Sequence, residues 1–137
     1  LLDLGAIPII NENDTVATAE IVIGDNDSLA AIVAQSVSAD RLILLSDIDG
    51  LYTADPHKDP DAKLIHNVNI INEALLSLAG ASASNQGTGG MVTKLQAAKI
   101  CLDCSCEMII ANGNRPENLY DIMDGLEVGT KFTGVMV

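Results

Sequence analysis

Short apolar runs alternate with helix-like segments along almost the whole chain, and few architectures tolerate that alternation. Ala6–Ile10 reads as a short buried strand ending in the polar run Asn11-Glu12-Asn13-Asp14. Thr18–Ile23 is a second, stopped by Gly24. Asp27-Ser28 can cap a helix through about Ser38, with Leu29, Ile32, Val33 and Val37 on one face. Arg41–Leu45 (RLILL) is the best candidate for a buried strand, with Ser46-Asp47 at its carboxyl end and a tight Asp49-Gly50 turn beyond. Leu51–Thr53 is brief, and Asp55-Pro56 with Asp59-Pro60 marks an exposed loop. Leu64–Val68, Glu107–Ala111 and Gly129–Phe132 read as extended, and Asn72–Ala79, Met91–Leu102 and Asn118–Asp124 as helical. The expected fold is α/β: a three-layer sandwich with a largely parallel sheet and helices on both faces. Ligands of such sheets sit beyond the carboxyl ends of the strands, where the polar clusters after Ile10, Leu45 and Ala111 fall.

Composition narrows the partners. The chain has 137 residues, 48% of them apolar, enough for one ordinary domain or part of a larger one. Aromatics are only 2%, so the core is aliphatic and a surface built on base stacking is excluded. Nineteen acidic residues face seven basic ones, a formal net charge of -12 that repels nucleic acid and anionic membranes. A small anion can bind only where local cations or backbone N–H groups reverse the field. No stretch approaches the ~18 apolar residues that span a bilayer. Leu1–Ile10 lacks the basic start and small-residue cleavage site of a signal peptide, and the first residue is Leu rather than Met, as in a chain cut from something longer. Cys101, Cys104 and Cys106 form an odd, clustered set, which suits reduced thiols around a helix end in a reducing, cytoplasmic compartment. A metal site would need a fourth ligand, and His57 and His66 are both distant in sequence and read as surface residues.

Four segments can carry chemistry. Gly87-Thr88-Gly89-Gly90-Met91-Val92-Thr93-Lys94 sets glycines before a helix, where backbone N–H groups and the helix dipole favour phosphate. Lys94 adds a full positive charge one turn in, although the pattern is not a Walker A loop and a plain surface loop would look similar. Asn11-Glu12-Asn13-Asp14 offers groups for an amino acid's ammonium and carboxylate, or simply a capped turn. Gly24-Asp25-Asn26-Asp27 opens a helix; its acids can cap it, orient a catalytic Lys or hold metal beside phosphate. Ser46–Pro56 combines a strand end, a tight turn and Tyr52, a candidate nucleotide pocket.

Together these segments resemble the amino acid kinase family. DIDGLYTADP (Asp47–Pro56) and GTGGMVTK (Gly87–Lys94) are similar to the family-wide nucleotide-binding part. IPIINENDTVATAEI (Ile7–Ile21) and GDNDSLAA (Gly24–Ala31) resemble the branch that phosphorylates L-glutamate. The resemblance implies transfer from ATP to the glutamate side-chain carboxylate, the first step of proline synthesis, with Mg²⁺ arriving on ATP and no separate protein metal site. By position it makes Lys94 and Asp27 catalytic. Asn11, Asp14 and Asn26 would hold glutamate. Ser46, Asp47, Thr88, Gly89, Gly90, Met91, Val92, Thr93 and Lys94 would hold the nucleotide.

The resemblance further implies that residues 1–137 are the C-terminal, nucleotide-binding part of a single kinase domain. The upstream part, with its own Lys and two Gly/Ser-rich segments, lies outside this chain, as does the RNA-binding-type domain that some members append. Alone, the 137 residues are then expected to turn over feebly or not at all. Homo-oligomeric assembly of the full-length protein and feedback by proline belong to the same set of expectations. Two alternatives stand beside it: a family member acting on aspartate, acetylglutamate or UMP, and a non-catalytic amino-acid or nucleotide sensor.

Overall fold

The computed structural model describes residues 1–11, 25–81 and 90–133. Its centre is a four-stranded sheet in the order β1-β3-β4-β2. The strands are β1 (Arg41–Ser46), β2 (Asn67–Val68), β3 (Glu107–Asn112) and β4 (Thr130–Phe132). β1 runs parallel to β3 and β2 parallel to β4, while β3 and β4 meet antiparallel. The sheet is therefore mixed but mostly parallel, and the helices α1 (Asn26–Ser36), α2 (Glu73–Ala81), α3 (Met91–Asp103) and α4 (Asn118–Met123) cover both faces.

Side-chain alternation along β3 divides the core. Met108 and Ile110 point to one face, with Leu44 of β1, Phe132 of β4 and the buried residues of α1 and α3. Ile109 and Ala111 point to the other, against Ile122 of α4. β3 carries four consecutive buried residues, because it has a neighbour on each side and helices on each face. β1, expected to be the best-buried strand, buries only Leu44 and leaves Leu45 46% exposed. The reason is position: among the described strands β1 has a neighbour on one side only.

α3 and β3 lie where the sequence pattern puts them, with Cys101, Cys104 and Cys106 around the end of α3 as free thiols. Burial pushes the Cys101 thiol up to about 12, with its neighbours Cys106 and Cys104 adding to the effect. α1 differs in two respects. Its N-cap is Asp25, not Asp27: the Asp25 carboxylate accepts the Ser28 N–H at 2.7 Å, a contact of a kind that contributes about 1 kcal/mol. Its buried face is Ala31 and Ala34 rather than the larger apolar residues, and Val37 lies 47% exposed beyond the helix end. α1 packs against α3, whose buried residues also include alanines, Ala97 and Ala98, and small side chains let two helices approach closely.

Two expected strands fare otherwise. Ala6–Ile10 forms no strand, and Ile7 and Ile9 stand 91% and 98% exposed. An apolar run becomes a strand only by pairing, and no described strand lies beside it. Thr18–Ile23 falls outside the described residues. Leu64–Val68 contracts to the two residues of β2 plus a single bridge between Leu64 and Tyr52.

Candidate active site

The short turns after α1 and α3 determine where the site lies. Residues 37–40 join α1 to β1, and residues 104–106 join α3 to β3. Each helix therefore runs back along its strand, and its N-terminus reaches the strand's carboxyl end. The lengths agree: ~16–20 Å for the helices and ~20 Å for the strands. Because β1 and β3 are parallel, both helix N-termini and the loops after Ser46 and Asn112 share one edge of the sheet. The positive ends of two helix dipoles converge there, in a chain whose net charge is -12.

At that edge α1 and α3 are joined through their first turns. Lys94 Nζ donates to Asp27 Oδ2 at 3.1 Å, and Thr93 Oγ1 donates to the same oxygen at 2.7 Å. Lys94 is only 7% exposed. A buried ammonium is costly unless a carboxylate and hydrogen bonds replace its water, and Asp27 supplies that partner from 67 residues away. Asp25, two residues earlier, is occupied in capping α1, so Asp27 can turn to Lys94. Gly90 is the N-cap of α3 and contributes no side-chain cap of its own.

The loops after β1 and β3 are also tied together. Gly113 N–H donates to the Ser46 carbonyl at 2.7 Å, and Asn112 Nδ2 donates to Asp49 Oδ1 at 2.8 Å. The Tyr52 hydroxyl donates to Asp49 Oδ2 at 3.0 Å, and Ser46 Oγ to Asp47 Oδ1 at 3.1 Å. Burial, with the hydrogen bond and charge of Asp49, pushes the Tyr52 hydroxyl above its ordinary range and keeps it a donor. Beyond the turn, Thr130 Oγ1 accepts the Leu51 N–H at 2.8 Å and donates to the Ile65 carbonyl at 2.6 Å. A Cβ at Gly50 would come within 2.5 Å of that same Oγ1, so the turn packs this closely only with glycine.

Among the residues expected to act, Asp27, Thr93 and Lys94 meet directly. Met91 and Val92 sit half-buried in the first turn of α3, with Gly90 exposed before them. Ser46 and Asp47 lie on the same edge at the end of β1. Asn26 is exposed at the start of α1, and Asn11 is exposed in irregular chain. Asp14, Thr88 and Gly89 fall outside the described residues. Sequence reasoning did not single out Asn112 as the partner of Asp49. The only signal was two polar residues at the ends of two apolar runs 63 residues apart.

A separate cavity of about 150 Å³ opens near the opposite, amino end of β1 and β3. Its polar groups find partners within the protein: Arg41 and Lys131 both pair with Glu107, and His66 Nδ1 lies 3.2 Å from the Gly129 carbonyl. His57 and His66 are otherwise exposed, as their surroundings in sequence imply. Among the described residues no helix is long and apolar enough to cross a membrane.

Comparison with known proteins follows the same lines. Residues 1–112 match the model of the amino acid kinase family. The chain is 61% identical over 125 residues to glutamate 5-kinase of Paramagnetospirillum magneticum, covering 91% of this chain and 34% of that protein. To glutamate 5-kinase of Rhodospirillum rubrum it is 63% identical over 125 residues, covering 91% of this chain and 33% of that protein. The chain thus spans about a third of the length of these curated relatives. Among solved structures, carbamate kinase from Giardia lamblia bound to AMP-PNP superposes with a TM-score of 0.62 at 22% identity, covering 95% of this chain and 42% of that one. That likeness concerns the fold.

Proposed function

The chain belongs to the amino acid kinase family, and we propose on that premise that it is the C-terminal, nucleotide-binding part of a glutamate 5-kinase domain. The reaction is transfer of the γ-phosphoryl group of ATP to the side-chain carboxylate of L-glutamate. The products are L-glutamyl 5-phosphate and ADP, and the step opens proline synthesis in the cytoplasm. The observation that carries phosphoryl transfer is the buried Lys94, held 3.1 Å from Asp27 where the N-termini of α1 and α3 meet. The choice of glutamate as acceptor rests on the identity of 61–63% to the two glutamate 5-kinases.

The chemistry asks little of the protein beyond position and charge. A glutamate carboxylate is ionised near neutral pH and needs no general base. The barrier falls when acceptor and phosphoryl group are held in line and the charge on the equatorial oxygens is neutralised. In this reading Lys94 supplies a fixed positive charge to the transferring group, and Asp27 and Thr93 hold it in place. The segment Thr88–Lys94 and the first-turn amides of α3 cradle the phosphates. Ser46 and Asp47 line the nucleotide, while Asn11, Asp14 and Asn26 take the glutamate.

Among the described residues no group of three or more His, Cys, Asp or Glu side chains can hold a metal ion. In this reading Mg²⁺ would arrive on the phosphates of ATP, and the Asp27 carboxylate beside Lys94 would face it. When bound, Mg²⁺ neutralises charge on the β- and γ-phosphate oxygens.

The test is acceptor selectivity in the full reading-frame polypeptide. ADP release is measured with Mg²⁺, ATP and, in turn, glutamate, aspartate, acetylglutamate or UMP. Only glutamate is expected to raise the rate. Preference for another acceptor would move the protein elsewhere in the family, and ATP binding without turnover on any would make it a sensor.

A further inference from the structure

We infer that Asp49, Asn112 and Tyr52 form a clasp that positions Ser46 and Asp47 for the nucleotide, an inference that rests on the nucleotide site proposed above. Three separate pieces of chain meet at one carboxylate. Asn112, the last residue of β3, donates to one oxygen of Asp49, and Tyr52, beyond the turn, donates to the other. Asn112 is itself oriented: its Oδ1 accepts the Asn114 N–H at 2.9 Å, which turns its NH₂ toward Asp49. Its backbone carbonyl accepts from buried Asn118 of α4 at 3.1 Å.

The clasp lies two residues beyond Asp47. On its far side Leu51 is pinned to Thr130, and on its near side Ser46 is bonded through its carbonyl to Gly113. The turn carrying Asp47 is thus fixed at both ends, while Asp47 and Asp49 remain on the exposed edge. Asp49 is bonded through both oxygens within the protein, so it acts through the turn rather than on the ligand. It is a positioning residue, as are Asn112 and Tyr52. Holding a binding turn in its bound shape lowers the ordering cost of binding.

The geometry allows a charge-preserving exchange. Asn112→Asp sets two carboxylates face to face. Asp49→Asn points an amide NH₂ at a donor. In the double variant Asp49→Asn/Asn112→Asp, the new amide donates to the new carboxylate. The remaining acceptors again meet Tyr52 and the Asn114 N–H.

The measurement is calorimetric titration of Mg-ATP into the full reading-frame polypeptide, with the KM for glutamate recorded alongside. Asn112→Asp is expected to weaken ATP binding about tenfold, the scale of one hydrogen bond to a charged group. The KM for glutamate should stay unchanged, and the exchanged pair should return ATP binding to within about twofold of the parent. Tyr52→Phe, which removes a single donor and keeps the ring, should weaken ATP binding about threefold and serves if Asn112→Asp does not fold. A merely structural role would lower the unfolding midpoint and leave ATP affinity alone. That result, or a double variant as weak as Asn112→Asp, overturns the clasp while the kinase reading stands. A parent that binds no ATP overturns both.

Discussion

Replacing Lys94 with Ala is expected to lower kcat about a thousandfold while raising the KM for glutamate no more than a few-fold, the pattern of a group that acts chiefly in the transition state. The magnitude follows from the setting. Lys94 is 7% exposed and its charge is fixed by Asp27, so little water screens it and no reorganisation is needed when charge shifts onto the transferring group. Steady-state kinetics of the full reading-frame polypeptide provide the check, with an unfolding curve to confirm that the variant folds. Thr93 still donates to Asp27 in the variant, so the carboxylate keeps one partner. Equal losses in kcat and in glutamate binding would place Lys94 in substrate binding alone.

The largest expected loss of stability comes from Phe132. It is the only Phe in the chain, fully buried, opposite Met108 of β3 and beside Val68 of β2. Phe132→Ala should cost about 3–5 kcal/mol, because the removed ring leaves a cavity that the short β4 cannot collapse to fill. A single domain is stable by only about 5–15 kcal/mol in all, so the urea midpoint should fall by a large fraction. The effect should reach the site as well. Thr130, two residues earlier on the same face of β4, pins Leu51 and meets Gly50. A loss of unfolding free energy below about 1 kcal/mol would mean that β4 is not the keystone of this core.

The elements legible in the sequence are those whose signal is local. α3 begins after Gly90 and ends among the cysteines, and β3 is a continuous apolar run; both lie within a residue or two of their expected bounds. β1 runs one residue past its expected end, and its burial depends on its place in the sheet, outermost among the described strands, which no local pattern encodes. The same holds for the antiparallel meeting of β3 and β4, and for Ala6–Ile10, whose apolar run has no described strand beside it. The apolar pattern puts Leu29, Ile32, Val33 and Val37 on the inner face of α1, whereas packing against α3 buries Ala31 and Ala34.

The site divides along the same line. Lys94 stood out by type and place, a rare cation after glycines at a helix start. Its partner was less visible. Asp25, Asn26 and Asp27 stand side by side at the start of α1, and only the fold shows Asp25 capping the helix while Asp27 reaches Lys94. The Asp49–Asn112 bond joins residues brought together solely by the parallel register of β1 and β3. No spacing rule would have paired them.

The most direct test of the central claim traps the acyl phosphate. The full reading-frame polypeptide is incubated with ATP, Mg²⁺, L-glutamate and hydroxylamine, and the product is examined for glutamyl hydroxamate. The account predicts a hydroxamate signal that requires both ATP and glutamate and that falls about a thousandfold in Lys94→Ala. Absence of glutamate-dependent hydroxamate from a folded, ATP-binding polypeptide would contradict it.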